Sequence, residues 1–114
     1  MNNQKILYQM HADFCKFMSN ALRIEILFLL GNKEMCVEDL ASAMDAKLPN
    51  VSQHLAIMRE KGIVKVRREG NRMYYSLSNP KTLKACNIMR EAMIEEMKKN
   101  IGLVSEFTEE INEI

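Results

Sequence analysis

Between residues 47 and 77 the hydrophobic period changes once, and that change limits the folds open to this chain. Val51, Leu55 and Met58 lie on one narrow stripe at helical spacing, with Gly62 at its end. From Ile63 onward the period drops to two. Ile63-Val64-Lys65-Val66-Arg67 alternates, and so does Met73-Tyr74-Tyr75-Ser76-Leu77. Between these runs lies Arg68-Glu69-Gly70-Asn71-Arg72, a turn signal with a basic tip. The spacing predicts a helix over residues 49–61, then a β-hairpin.

The chain before this point reads as helices. Over residues 4–19, Leu7, Met10, Phe14 and Phe17 form one apolar stripe, and Tyr8, Cys15, Met18 and Leu22 a second. A helix with two such stripes is expected to be buried on two sides. Asn20 is a good N-cap for the next helix and Gly31 a good stop. Leu22, Ile26 and Leu29 or Leu30 should face inward. A short helix follows at Val37–Met44. Asp45-Ala46-Lys47-Leu48 should be a turn, and Pro49 suits the first helical position. After Asn79-Pro80 a helix should run to about Asn100. The order is α-α-α-α-β-β-α, an α+β, mainly helical class with a winged helix-turn-helix layout. Residues 1–100 form the expected domain. Residues 101–114 form an acidic amphipathic helix or tail.

The outer side of the helix at 49–61 carries Pro49, Asn50, Ser52, Gln53 and Ala56. These are small or amide-bearing groups, and Asn and Gln can contact adenine edges bidentately. Bulky charge comes later, at Arg59, Glu60 and Lys61. A helix that enters the major groove by its N-terminal end wants this layout. With the helix at 37–44 and the turn, it completes a helix-turn-helix. Arg67, Arg68 and Arg72, flanking Gly70 and Asn71, suit phosphates or the minor groove beside it.

Net charge at first argues against a nucleic-acid partner, because 16 basic and 15 acidic residues leave only +1. The distribution reverses that reading. Residues 47–72 hold seven basic and two acidic residues, a net of +5, and the remainder is −4. Amphipathic helices and basic edge hairpins are common for structural reasons alone. The combination of turn, small-polar helix, glycine stop and arginine-tipped hairpin within one basic segment is more specific, and points to double-stranded DNA.

Several motifs also carry a family resemblance. They are Ala12-Asp13-Phe14-Cys15-Lys16 through Leu22-Arg23-Ile24-Glu25-Ile26-Leu27, Val51-Ser52-Gln53-His54-Leu55, Gly62-Ile63-Val64, Arg67-Arg68-Glu69-Gly70-Asn71 and Tyr74-Tyr75-Ser76-Leu77. Over about residues 5–98 the chain resembles the ArsR/SmtB winged-helix regulators. The resemblance implies a homodimeric repressor whose first and last core helices form the dimer interface, and which leaves DNA when an inducer binds. Members often cap the recognition helix with Ser or Thr. Here that place is Lys47-Leu48, and the fixed φ of Pro49 offsets part of the loss.

Sensing sites in that family use Cys, His and carboxylates. Met35-Cys36-Val37-Glu38-Asp39-Leu40 is similar to its arsenic motif but keeps only the first cysteine, with Glu38 in place of the second. One thiolate and a carboxylate suit As(III) poorly. The start of the family's zinc site corresponds to Asn79 and Lys81, so that site looks absent. Cys86 shares a sulfur-rich stripe with Met89, Met93 and Met97, and Cys15 lies on the second stripe of the first helix. The family arrangement would bring these helices together. Cys15 and Cys86 are therefore the candidates for a thiol switch or for a soft metal or arsenite site. The alternative is that both are small buried hydrophobes. His54 reads as a hydrogen-bonded structural residue. His11 and Cys15 are four residues apart, but two ligands do not make a site.

Three widely spaced cysteines are not a disulfide framework, and no apolar run reaches the ~18 residues that span a bilayer. The expected location is the cytoplasm. No phosphate loop, Ser/His/Asp set or three-ligand metal motif suggests an enzyme. The rival readings are a winged-helix protein-interaction module and a regulator that senses nothing.

Overall fold

A computed structural model describes residues 2–100. It divides into two compact units, one ending at Pro80 and one beginning at Lys81. The first unit contains α1 (Asn3–Phe17), α2 (Ala21–Leu30), β1 (Met35–Cys36), α3 (Val37–Met44), α4 (Leu48–Glu60), β2 (Val64–Glu69) and β3 (Arg72–Leu77). The second contains all but the first residue of α5 (Pro80–Lys99).

Helix ends follow local chemistry. The Asn20 side chain accepts from the backbone N–H groups of Leu22 and Arg23 at 3.0 and 3.2 Å, two donors with no intrahelical partner. Gly31 ends α2 at φ 53°. Asp45 ends α3 in the left-handed region at φ 49°, and the N–H of Ala46 reaches back to the Ala41 carbonyl at 3.0 Å. That sharp reversal leaves only Asp45, Ala46 and Lys47 between α3 and α4. Helix α4 therefore begins one residue earlier than the proline implied, and Pro49 is its second residue. Lys47 makes no side-chain cap bond, in keeping with the missing Ser or Thr.

Ile26, Leu27 and Leu30 of α2, Leu40 of α3, and Val51, Leu55 and Met58 of α4 are fully buried. Each such side chain contributes about 1.5–3 kcal/mol relative to exposure. The narrow stripe of α4 is thus its core face, packed on α2, α3 and β2. Ile63, Val64, Tyr75 and Leu77 close the core from the hairpin side.

The sheet contains one strand more than the expected order. The two-residue β1 pairs with β3, giving the antiparallel order β1-β3-β2. Met35 faces Tyr75 and Cys36 faces Tyr74. Across the hairpin, Val64 faces Leu77, Arg67 faces Tyr74 and Glu69 faces Arg72.

A second difference concerns α1. It was expected to be buried on two sides, yet none of its residues is buried within this chain. Ile6, Leu7, Tyr8, Met10 and Phe14 are all exposed, Tyr8 at 66% and Met10 at 62%. In α5, considered alone, Ile88, Met89 and Met93 are exposed and Cys86 is half-buried. No described helix is long and apolar enough to cross a membrane. The acidic stretch 101–114 lies outside the described residues.

Candidate nucleic-acid interface

Helix α4 buries one side and leaves the other open. Pro49, Asn50, Ser52, Gln53, Ala56 and Arg59 are all exposed. Among the described residues, no hydrogen bond or ion pair within the chain occupies the side chains of Asn50, Ser52, Gln53 or Arg59. Their donors and acceptors face solvent. Leu48, at the first position of the helix, is 43% exposed. It was not among the predicted contacts, although a large apolar residue off the buried stripe was a visible signal. Such a group can meet a thymine methyl.

The hairpin is different. Pairing sets Cys36, Tyr74 and Arg67 in one cross-strand row. The Arg67 guanidinium lies 4.9 Å from the centroid of the Tyr74 ring. Its Nε and Nη2 donate to Glu34 at 3.1–3.2 Å, and its Nη1 donates to Glu69 at 2.8 Å. These bonds, Glu34 first and Glu69 second, hold its pKa above its already high range. Arg72 donates from Nη1 to Cys36 Sγ at 3.6 Å, and the proximity of Cys36 raises its pKa as well. Arg68 and Asn71 are exposed, and neither side chain has a partner among the described residues. Glu34 was not legible as a partner of Arg67, because 33 residues separate them.

Another cluster lies between α1, α2 and α4. Arg23 donates from Nη1 to the Phe17 carbonyl at 2.8 Å, at the C-terminus of α1. Its Nε donates to His54 Nδ1 at a long 3.4 Å, and its guanidinium lies 4.2 Å from the Phe17 ring centroid. Lys61 Nζ lies 5.8 Å from the same centroid. Burial lowers the His54 pKa, and the Arg23 charge lowers it further. Both effects favour the neutral ring, and a neutral ring that accepts at Nδ1 carries its proton on Nε2. The expected hydrogen-bonded, structural role for His54 matches this placement.

Cys15 is exposed, Cys86 half-buried and Cys36 buried, and none is in a disulfide. Cys15 is thus not a buried hydrophobe within one chain, whereas Cys36 is. No group of three or more His, Cys, Asp or Glu residues that could hold a metal occurs among the described residues.

Comparison with known proteins accounts for this arrangement. Residues 20–66 match the arsR family of bacterial regulatory proteins. The arsenical resistance operon repressor of Escherichia coli (strain K12) is 36% identical over 90 residues, which cover 78% of this chain and 77% of that protein. A helix-turn-helix-type transcriptional regulator of Mycobacterium tuberculosis is 30% identical over 101 residues, 88% of this chain and 89% of that one. The crystal structure of that regulator matches at a TM-score of 0.75 with 31% identity, covering 83% of this chain and 96% of it. A solution structure of a homodimeric winged helix-turn-helix DNA-binding domain from Mycobacterium bovis also matches at 0.75, with 27% identity over 87% of this chain and 92% of that domain. The α4 helix, the turn before it and the arginine-tipped wing are the parts that define such a domain, and the chain belongs to the ArsR family of winged helix-turn-helix transcriptional regulators, which are DNA-binding proteins and not enzymes.

Proposed function

We propose that this regulator is a homodimeric repressor that binds an imperfect palindrome and leaves it when an inducer binds. Each α4 would enter one of two successive major grooves, about 34 Å apart. Asn50, Ser52 and Gln53 would meet base edges. Pro49 and Ala56 would allow close approach, and Arg59 would lie near the backbone. From the wing, Arg68, Asn71, Arg72 and Arg67 would hold the flanking strand. The observation that carries this reading is the outer face of α4: a row of small polar groups, exposed and without partners, opposite a fully buried stripe.

The homodimer is supported by the similar M. bovis domain and by the outward apolar face of α1. Repression rests on the E. coli relative. Release through thiols is the finest part of the proposal, with Cys15 and Cys86 as the residues that soft metal, arsenite or reactive sulfur would modify. Cys15 is open to such reagents.

The test is fluorescence anisotropy against a random duplex at low salt and against a duplex enriched from a random pool. Binding to both, with the enriched site much tighter, is the expected result. No binding to either would favour a protein partner for the wing instead. For the sensing step, release by arsenite or persulfide should disappear in C15S and C86S. Release that persists in both variants rules these thiols out.

A further inference from the structure

We propose that Arg23 is a positioning residue that sets the angle of the recognition helix against α1, and so sets the half-site spacing the dimer accepts. This rests on the DNA-reading and dimer proposal above. Helix α1 contributes no buried side chain to the core of this chain. Within one chain, hydrophobic packing along its length therefore does not fix it against α2 and α4. Its C-terminal end is held by specific contacts, and Arg23 makes two of them: a 2.8 Å hydrogen bond to the Phe17 carbonyl and a guanidinium 4.2 Å from the Phe17 ring centroid. A helix C-terminus has unpaired carbonyls and a partial negative charge, so a fixed cation belongs there.

The same guanidinium reaches α4 through His54, which lies on the border between the buried stripe and the groove-facing side. Lys61, the residue that ends α4, lies 5.8 Å from the centroid of the same Phe17 ring. Helix α4 is thus referenced to the end of α1 at two points almost two turns apart. Arg23 itself is held at the start of α2, where its backbone N–H donates to the Asn20 cap. A planar fork with donors at fixed angles transmits orientation in a way that a single ammonium cannot. In a dimer built on α1, any rotation of α4 about this joint changes the distance between the two reading heads.

The test uses the full chain and a palindromic duplex enriched by the wild-type protein, with one or two base pairs inserted between its half-sites. The wild type should discriminate sharply against the insertions. R23M should bind the original duplex about tenfold more weakly and lose most of that discrimination. R23K keeps the charge but should not restore it. H54F removes the acceptor of the Arg23 bond together with the ring's one N–H and should relax spacing while the protein stays folded and dimeric by circular dichroism and sedimentation. A joint that merely stabilised the fold would lower all affinities together and leave the spacing preference intact. Unchanged spacing discrimination in folded R23K and H54F overturns the inference alone. A wild type that enriches no duplex overturns the DNA reading, and this inference with it.

Discussion

The outer face of α4 and the hairpin of β2 and β3 lie in one basic segment, yet they hold their polar groups in opposite states. On α4, Asn50, Ser52, Gln53 and Arg59 have no partner within the described chain. On the hairpin, Arg67 is bound by two carboxylates and lies against Tyr74, and Arg72 is bonded to Cys36. On the function proposed above, the difference separates reading from bracing. A side chain that must match a base edge has to be unpaired before it arrives, since any internal bond would have to break first. A wing must instead keep its angle to the helix, and two of its three arginines tie strands together. The charge this segment can offer to DNA is accordingly smaller than the +5 of residues 47–72, because Glu34 lies outside the segment and pairs with Arg67.

The sharpest way to break this contrast is within α4 itself. L55A, on the fully buried side, should lower stability by about 2–5 kcal/mol, read by urea unfolding. Q53A, on the open side, should leave stability within about 0.5 kcal/mol. It should weaken binding to the cognate duplex by roughly 1–3 kcal/mol, with little change on random DNA. A uniform loss on both duplexes would remove Gln53 from its reading role.

Within the wing, sequence alone ranks Arg67, Arg68 and Arg72 as equals. The structure ranks Arg68 first, since it alone has no internal partner among the described residues. R68A should reduce the slope of log K against log salt by about 0.9. R67A should change the slope less, and E34Q should steepen it by freeing Arg67 for phosphate. Equal slopes for R67A and R68A would erase the distinction between brace and contact.

The smallest effect concerns His54. Its folded pKa lies below the free value of about 6.5, so the fold favours the neutral ring. The stability this provides is whole above about pH 6.5 and is lost as pH falls from there through the lowered folded value. Urea midpoints for wild type and H54Q should therefore converge between pH 7.5 and 5.5. Midpoints that stay parallel would show that the ring's charge is not coupled to folding.

Much of the fold was legible because it is local. Asn20, Gly31, Gly62 and the alternation of Val64, Val66, Tyr75 and Leu77 mark their elements without help from the rest of the chain. The open face of α4 followed from the same periodicity, since finding the buried stripe also defines its opposite. What sequence did not show depends on distant pairing. β1 is two residues long and has no period of its own; it is a strand only because β3 is beside it. Arg23 with His54 and Arg67 with Glu34 are 31 and 33 residues apart, beyond any local rule. The exposure of α1 within one chain has a related reason. An apolar stripe shows that a face will be covered, but not whether the cover comes from the same chain.

That outward face has a consequence for dose. If Ile6, Leu7, Tyr8, Met10 and Phe14 meet a second copy, the folded form that binds DNA is bimolecular, and its population follows mass action. Below the dimer dissociation constant, operator occupancy then rises with the square of protein concentration rather than in proportion to it. A cell could relieve repression by diluting the protein, with no chemical signal at all. A gene controlled this way would respond to growth rate and to the regulator's own synthesis.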